Sequence, residues 1–296
     1  MKNIAVIGSG TMGNGIAQVF ASADFKVHLI DISMPSLLQA ELNIHKNLDR
    51  LIAKEKLSLE QKPGIIDNIH FSTNLEKGVN DAFLVVEAIS ENILLKEKLF
   101  NQLDKLTDND CILASNTSSI SITSLASFTA KPGKVIGMHF MNPVPIMPLV
   151  EIIPGLLTEK EVTDKLMQIS ILLNKIPLVV SDFPGFISNR ILMPMINEAI
   201  LSLQEKVAGV NEIDQIMKLG MAHPMGPLQL ADYIGLDVCL SILNVLKDGF
   251  GNPKYAPAVL LINMVKAGKL GVKSGEGFYK YNDLKKISGI SSLFAN

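Results

Sequence analysis

Ile4-Ala5-Val6-Ile7-Gly8-Ser9-Gly10-Thr11-Met12-Gly13 sets a short apolar run directly against a turn with glycine at its first, third and sixth places. Four apolar residues bounded by glycine are strand-like, and Ile16 to Ala21 beyond the turn predicts a helix. Each glycine has a separate reason. Gly8 permits the tight turn, Gly10 lets the backbone approach a pyrophosphate, and Gly13 lets the helix pack close to the strand. The phosphates then sit at the positive end of the helix. Thr11 and Met12, lying between those glycines, are grouped with them as cofactor-binding. Asp31 ends the next predicted strand at roughly the 20-residue distance of the acid that accepts hydrogen bonds from an adenosine ribose. Its carboxylate would repel a 2′-phosphate, which favours NAD over NADP, although Lys26 and its neighbours can modify that preference. A flavin also fits the fingerprint. The plainer alternative is an ordinary strand-to-helix turn with Asp31 capping the following helix.

Outward from this motif, short β-branched runs alternate with helical patterns. Ile4 to Ile7, Val27 to Ile30, Phe83 to Glu87, Ile112 to Ala114 and Val135 to Met138 predict strands, and Ile16 to Ala21, Leu37 to Ala53 and Lys96 to Leu106 predict helices. That alternation argues for a mostly parallel sheet covered on both faces, an α/β architecture of Rossmann type. After Pro143, Pro145 and Pro148, Leu149 to Ile153 and Pro177 to Val180 predict two further strands around a helix from Glu159 to Leu173. Beyond about Pro184 the apolar spacing turns helical, over Phe186 to Val207, Glu212 to Leu219, Leu236 to Leu246 and Ala258 to Ala267. The expectation is therefore a dinucleotide-binding α/β domain over residues 1–184 and an all-helical domain over 185–296. Helices apolar on so many faces need another surface to cover them, so a homodimer is expected.

Composition narrows the function classes. The 296 residues carry 27 basic and 29 acidic side chains, a near balance with no electrostatic footprint for nucleic acid. At 48% hydrophobic and 19% charged the chain has ample material for a core and is not disordered. Lys2 and Ala21-Ser22-Ala23 imitate a signal peptide, but Gly8, Gly10, Gly13 and Gly15 break the apolar run that export needs. No window approaches the roughly 18 apolar residues of a membrane helix. The two cysteines, Cys111 and Cys239, are far apart without metal-ligand spacing. These readings predict no membrane, no metal and a cytoplasmic location.

Oxidation of an alcohol by hydride loss requires a base for the hydroxyl proton, and histidine suits that exchange near neutrality. His28, His45 and His70 sit within a strand or in polar surroundings and read as structural. His139 falls at the carboxyl end of a predicted strand, where open α/β sheets place their ligand crevice. Glu151 follows after a proline-rich turn, so the two can return to adjacent positions and pair, fixing the tautomer and stabilising an imidazolium. A solvated strand-end acid is the bland alternative. Ser115-Asn116-Thr117-Ser118-Ser119 follows another strand, in a composition that usually caps a helix. Asn189, one turn into a helix opened by Pro184-Gly185, occupies a place that asparagine disfavours.

Through these residues the chain resembles the short-chain L-3-hydroxyacyl-CoA dehydrogenase family, above all its bacterial 3-hydroxybutyryl-CoA dehydrogenases. The resemblance rests on Gly8 to Gly13 with Asp31, Ser115 to Ser119, His139-Phe140-Met141-Asn142-Pro143-Val144-Pro145, Leu149-Val150-Glu151, Pro184 to Arg190 and His223-Pro224-Met225-Gly226-Pro227, in order along essentially the whole chain. It implies His139 as general base, Glu151 as its orienting partner, Ser118 as a hydrogen-bond donor to the substrate oxygen, and Asn189 as a contact positioning substrate and histidine. It implies that acyl-CoA binds in the cleft between the domains and that the helical domains form the dimer.

Glu91 and Lys96 match family contacts to the cofactor, and Asn116 and Asn142 match positions near nicotinamide, ribose and substrate. Composition alone makes Lys96 a surface charge. Lys46, Arg50 and Lys54 recur every four positions, a stripe that reads as a solvated face. The resemblance makes Lys54 a contact for the phosphate-bearing adenine end of CoA. Near the end, Gly271 to Tyr279 departs from the family at Val272 or Glu276, where a basic residue is usual, and keeps Lys273 as a cofactor contact. Two other functions stay open: a sugar-acid dehydrogenase of L-gulonate type, which shares the fold and the histidine–glutamate pair, and a non-catalytic nucleotide-binding protein.

Overall fold

A computed structural model describes residues 3–294. Its first part runs β1 (Asn3–Ile7), α1 (Thr11–Ser22), β2 (Lys26–Ile30), α2 (Met34–Ala53), α3 (Gln61–Asp67), β3 (Ile69–Ser72), α4 (Leu75–Val79), β4 (Leu84–Glu87), α5 (Ile93–Leu106), β5 (Ile112–Ser115), α6 (Ile122–Ala126), β6 (Val135–Phe140), β7 (Leu149–Pro154), α7 (Lys160–Leu172) and β8 (Ile176–Val179). Local chemistry starts the helices. Ser33 caps α2 by accepting from Ser36 N at 3.3 Å, and Asn92 caps α5 by accepting from Leu94 N and Leu95 N. Along α2 the buried residues Leu37, Ala40, Ile44 and Leu48 form one stripe toward the sheet.

The eight strands form one sheet in the order β3-β2-β1-β4-β5-β6-β7-β8. The first six are parallel, and the order reverses between β1 and β4, which opens a crevice at their carboxyl ends. β7 is antiparallel to β6. A parallel return needs a crossover of a dozen or more residues, and residues 141–148 are too few to make one. α7 then supplies a crossover, and β8 pairs parallel to β7 at the sheet edge. Ile4, Val6, Phe20, Leu29 and Val86 belong to the core that joins helices to sheet. Each such side chain contributes at most about 1.5–3 kcal/mol on leaving water.

The chain divides into two compact units between Phe183 and Pro184. The second contains α8 (Ser188–Gln204), α9 (Val210–Gly220), α10 (Pro227–Ile234), α11 (Leu236–Phe250) and α12 (Val259–Lys266) around Met193, Ile196, Leu228, Leu243 and Leu261. It is helical but not all-helical: β9 (Tyr279–Tyr281) and β10 (Ile287–Ile290) form an antiparallel hairpin. Two buried carboxylates anchor that hairpin. Asp214 accepts from Leu228 N, Gln229 N and the Tyr279 hydroxyl, and Asp232 accepts from Phe278 N, Tyr279 N and the Tyr281 hydroxyl. Burial pushes the Asp232 carboxyl up to about 6 despite those donors.

Candidate active site

The glycine turn lies between β1 and α1 at the carboxyl edge of the sheet. Gly8 has φ of +98°, and a Cβ there would stand 2.5 Å from the Ala88 carbonyl oxygen. At Gly13 a Cβ would fall on the Gly8 carbonyl. Gly10 differs, because a Cβ there would meet nothing within 4 Å. The protein's own packing does not require glycine at that place, whereas an approaching pyrophosphate does. Gly10 provides no side-chain cap to α1, and the first turn holds no acidic residue, so the positive helix end suits an anion. The residues present therefore fit a dinucleotide.

Asp31, half-buried just past β2, accepts from Ser9 N and Ser9 Oγ on Oδ2, both at 2.8 Å, and from Ser33 N on Oδ1 at 3.0 Å. It braces the glycine turn. Capping of α2 falls to Ser33, not to Asp31. A carboxylate offers about four acceptor sites, so three donors leave capacity for a ribose hydroxyl.

His139 and Glu151 stand directly opposite each other in the β6–β7 register. Antiparallel pairing puts opposed side chains on one face, and Nδ1 lies 2.8 Å from Oε2. Both are buried, at 6% and 2% exposure. With the carboxylate ionised, Nδ1 carries the proton and donates, which places the ring's basic lone pair on Nε2. That arrangement can exchange one proton with a ligand while the carboxylate faces the positive charge formed.

A second cluster occupies the ends of β4 and β5. Glu87, fully buried, accepts from Lys96 Nζ at 2.6 Å, Ile89 N at 2.7 Å and Ser115 Oγ at 2.6 Å. Lys96 Nζ lies 3.3 Å from Glu91 on its other side. Glu91 Oε1 in turn accepts from the Thr117 and Ser119 hydroxyls and from the backbone N–H groups of Ser118 and Ser119. Burial opposes ionisation of Glu91, but the Lys96 ammonium and these donors outweigh it and hold its carboxyl below the usual range. Lys96, 1% exposed, is thus no surface charge. The 117–119 turn caps no helix; Ser121 caps α6, and the turn is instead held by Glu91. Asp182 fixes the continuation by accepting from Ser121 Oγ, Ile122 N and Thr123 N. Neither Glu87 nor Asp182 carries a signal in the sequence beyond its place at a segment end. Asn116 Oδ1 accepts from Phe140 N at 2.9 Å, which ties the end of β5 to the strand of His139, and Asn142 is exposed in the loop after β6.

A cavity of about 410 Å³ opens between the end of α2 and that loop, lined by Arg50, Lys54, Lys56, Pro143, Pro145 and Ile146. Two members of the basic stripe face it together with Lys56, which the four-residue spacing did not reach. Three cations against an apolar wall suit a phosphorylated aromatic ligand. Asn189 and Lys273 belong to the second unit. Asn189 sits buried in the first turn of α8, donating its backbone N–H to Gly185 O, and Lys273 pairs with Asp237. Glu276, at the point of departure from the family pattern, pairs with Lys269 and accepts from Ser291 Oγ.

Residues 3–183 match the NAD binding domain of 3-hydroxyacyl-CoA dehydrogenase, and residues 185–281 match its C-terminal domain. A probable 3-hydroxybutyryl-CoA dehydrogenase of Deinococcus radiodurans is 53% identical over 276 residues, 93% of this chain and 99% of that protein. The mitochondrial hydroxyacyl-coenzyme A dehydrogenase of Homo sapiens is 41% identical over 95% of this chain and 91% of its own length. The crystal structure of (S)-3-hydroxybutyryl-CoA dehydrogenase from Ralstonia eutropha superposes with a TM-score of 0.92 at 46% identity, covering 96% of this chain and all of that one. Matches of this extent in both units, on a fold whose glycine turn accommodates a dinucleotide, establish that the chain belongs to the 3-hydroxyacyl-CoA dehydrogenase family.

Proposed function

We propose that this chain catalyses the reversible NAD-dependent oxidation of a short-chain L-3-hydroxyacyl-CoA, such as 3-hydroxybutyryl-CoA, to the 3-oxoacyl-CoA. The observation that carries the reading is the buried His139–Glu151 pair at the same sheet edge as the glycine turn. Three strand spacings separate β1 from β6, about 14 Å across the crevice. NAD, when bound, supplies the hydride acceptor. His139 Nε2 takes the hydroxyl proton in oxidation and returns it to the carbonyl in reduction, and Glu151 holds the tautomer and stabilises the imidazolium. Ser118 donates to the substrate oxygen, and Asn189 positions substrate and histidine. Gly8, Gly10, Thr11, Met12 and Gly13 receive the pyrophosphate and Asp31 the adenosine ribose. Glu91, Lys96, Asn116, Asn142 and Lys273 complete the cofactor contacts, with buried Lys96 acting through Glu91.

The cationic cavity favours acyl-CoA over the L-gulonate alternative, because a sugar acid has no phosphate to engage Arg50, Lys54 and Lys56. Steady-state rates with acetoacetyl-CoA and NADH, against gulonate and NAD, test this. Turnover of gulonate without turnover of acetoacetyl-CoA would reverse the assignment. The second unit exposes Ile191, Ile216, Leu219 and Met221, which supports a homodimer through its helices. Sedimentation at micromolar concentration should give twice the chain mass, and a monomer contradicts it. No single helix among the described residues is long and apolar enough to cross a membrane. The buried free thiols Cys111 and Cys239 support a cytoplasmic location.

A further inference from the structure

The loop between β6 and β7, residues 141–148, contains Pro143, Pro145 and Pro148, which have no N–H to donate. The N–H groups of Ile146 and Met147 both go to the Pro143 carbonyl. The carbonyls of Val144 and Met147 are satisfied from elsewhere: Lys175, 7% exposed immediately before β8, donates its Nζ to Val144 O at 2.6 Å and to Met147 O at 2.8 Å. No carboxylate among the described residues forms an ion pair with it. Burying an ammonium without a counterion is costly, and here burial holds Lys175 below the usual lysine range. What the ammonium gains there is the two loop carbonyls, since an apolar side chain in its place would leave Val144 O and Met147 O without these donors.

The loop is gripped from two sides. On the other side Gly15 of α1 admits Val144, since a Cβ at Gly15 would come 2.9 Å from Val144 Cβ. Between these grips the loop presents Pro143, Pro145 and Ile146 to the cavity opposite Arg50 and Lys54. The dyad is secured differently, one pair inside the ladder that ends at Phe140 and Val150. Lys175 therefore acts on the cavity wall more than on the reacting groups.

We propose that Lys175 is a positioning residue for acyl-CoA binding, holding the proline-rich loop in the shape that makes the apolar wall of the cationic cavity. The inference rests on the acyl-CoA reading above. A merely structural lysine lowers the active fraction, and so kcat, with every substrate. A positioning lysine raises KM for substrates that reach the cavity and spares those that do not.

The test compares acetoacetyl-CoA with the N-acetylcysteamine thioester of acetoacetate, which lacks the nucleotide, in wild type, Lys175→Met and Lys175→Gln. Lys175→Met should raise KM for acetoacetyl-CoA about tenfold, from the loss of two charge-assisted hydrogen bonds that order the loop, with kcat within about twofold. Its kcat/KM for the short thioester should stay within about twofold of wild type. Lys175→Gln keeps one donating amide and should fall between, and it decides the matter if the methionine variant does not fold. An unmoved KM in a folded variant, or an equal fall in kcat with both substrates, overturns the inference while leaving the substrate reading intact. Wild-type protein inactive on acetoacetyl-CoA overturns that reading and this inference with it.

Discussion

Replacing Glu151 with glutamine keeps the shape of the side chain opposite His139 and removes its charge. In the oxidation direction the ring passes from neutral to cationic while Glu151 Oε2 lies 2.8 Å from Nδ1, with the two side chains 3% and 8% exposed, so solvent screens the interaction poorly. Charges about 4 Å apart attract by about 4 kcal/mol at an effective dielectric of about 20. With the proton about half transferred in the transition state, roughly 2 kcal/mol depends on the carboxylate, which is about 30-fold in rate. Glu151→Gln should therefore lower kcat about 30-fold, and His139→Gln, which removes the acceptor itself, by about 10²–10⁴-fold. The assay is NADH formation from 3-hydroxybutyryl-CoA at saturating substrate, with NADH affinity measured separately by fluorescence and expected within about twofold of wild type. Because the carboxylate acts through the ring, the double variant should be no slower than His139→Gln alone. Losses that multiply would show two independent groups. Near-normal turnover by His139→Gln would refute the mechanism.

Asp31→Ala should raise KM for NADH and shrink the preference over NADPH, since the carboxylate both braces the turn through Ser9 and repels a 2′-phosphate; an unchanged ratio of the two kcat/KM values removes Asp31 from that role. Lys54→Ala should raise KM for acetoacetyl-CoA about fivefold at low salt and less at high salt, with the NADH KM unmoved, and a KM indifferent to the substitution places the nucleotide elsewhere. His28 gives a pH effect of definite sign. Burial first, then His70 beside it, push its pKa below the usual value against the pull of Asp81, and its buried Nδ1 has no hydrogen-bond partner among the described residues. The native state thus binds fewer protons than the unfolded chain, and the stability present above about pH 6.5 is lost as pH falls toward the lowered native value. Melting temperature against pH should be flatter over that window in His28→Gln; parallel curves refute it.

The first part of the fold was legible because its signals are local. Strands expected at Ile4 to Ile7 and Val27 to Ile30 end at the expected residues, and that at Val135 to Met138 continues through His139 to Phe140. Buried parallel strands read as mostly apolar, β-branched runs, and Gly8 marks where β1 stops. β3 was not legible: Ile69-His70-Phe71-Ser72 is short, lies at the sheet edge and is half polar. The terminal hairpin escaped for the same reason, since Tyr279-Lys280-Tyr281 alternates over three residues and β10 contains Gly289 and a shift of register. What holds that hairpin is remote in sequence, the carboxylates of Asp214 and Asp232. α10 hid behind Pro224 and Pro227, which read as turn punctuation although Pro227 occupies the first helical position, where proline is tolerated.

At the site, a pairing was legible where one simple return of the backbone sets its two groups opposite each other. His139 and Glu151 belong to one short return of the backbone, so strand ends and a proline-rich turn were enough to bring them together. Lys96 lies on α5 beside Glu97 and Lys98, and no helical spacing sets it apart from them, because its carboxylate partners Glu87 and Glu91 precede the helix, at a strand end and in the loop that follows. It becomes a buried cation only because β4 delivers Glu87 beneath it and the segment after β5 draws Glu91 against it. Lys175 is the same case across a longer gap. Its acceptors are backbone carbonyls, which every residue has, and their need for a donor arises from prolines some thirty positions earlier. A sequence records such a need as missing N–H groups in one loop, and a lysine immediately before the following edge strand answers it only once the sheet order has brought β8 beside β7.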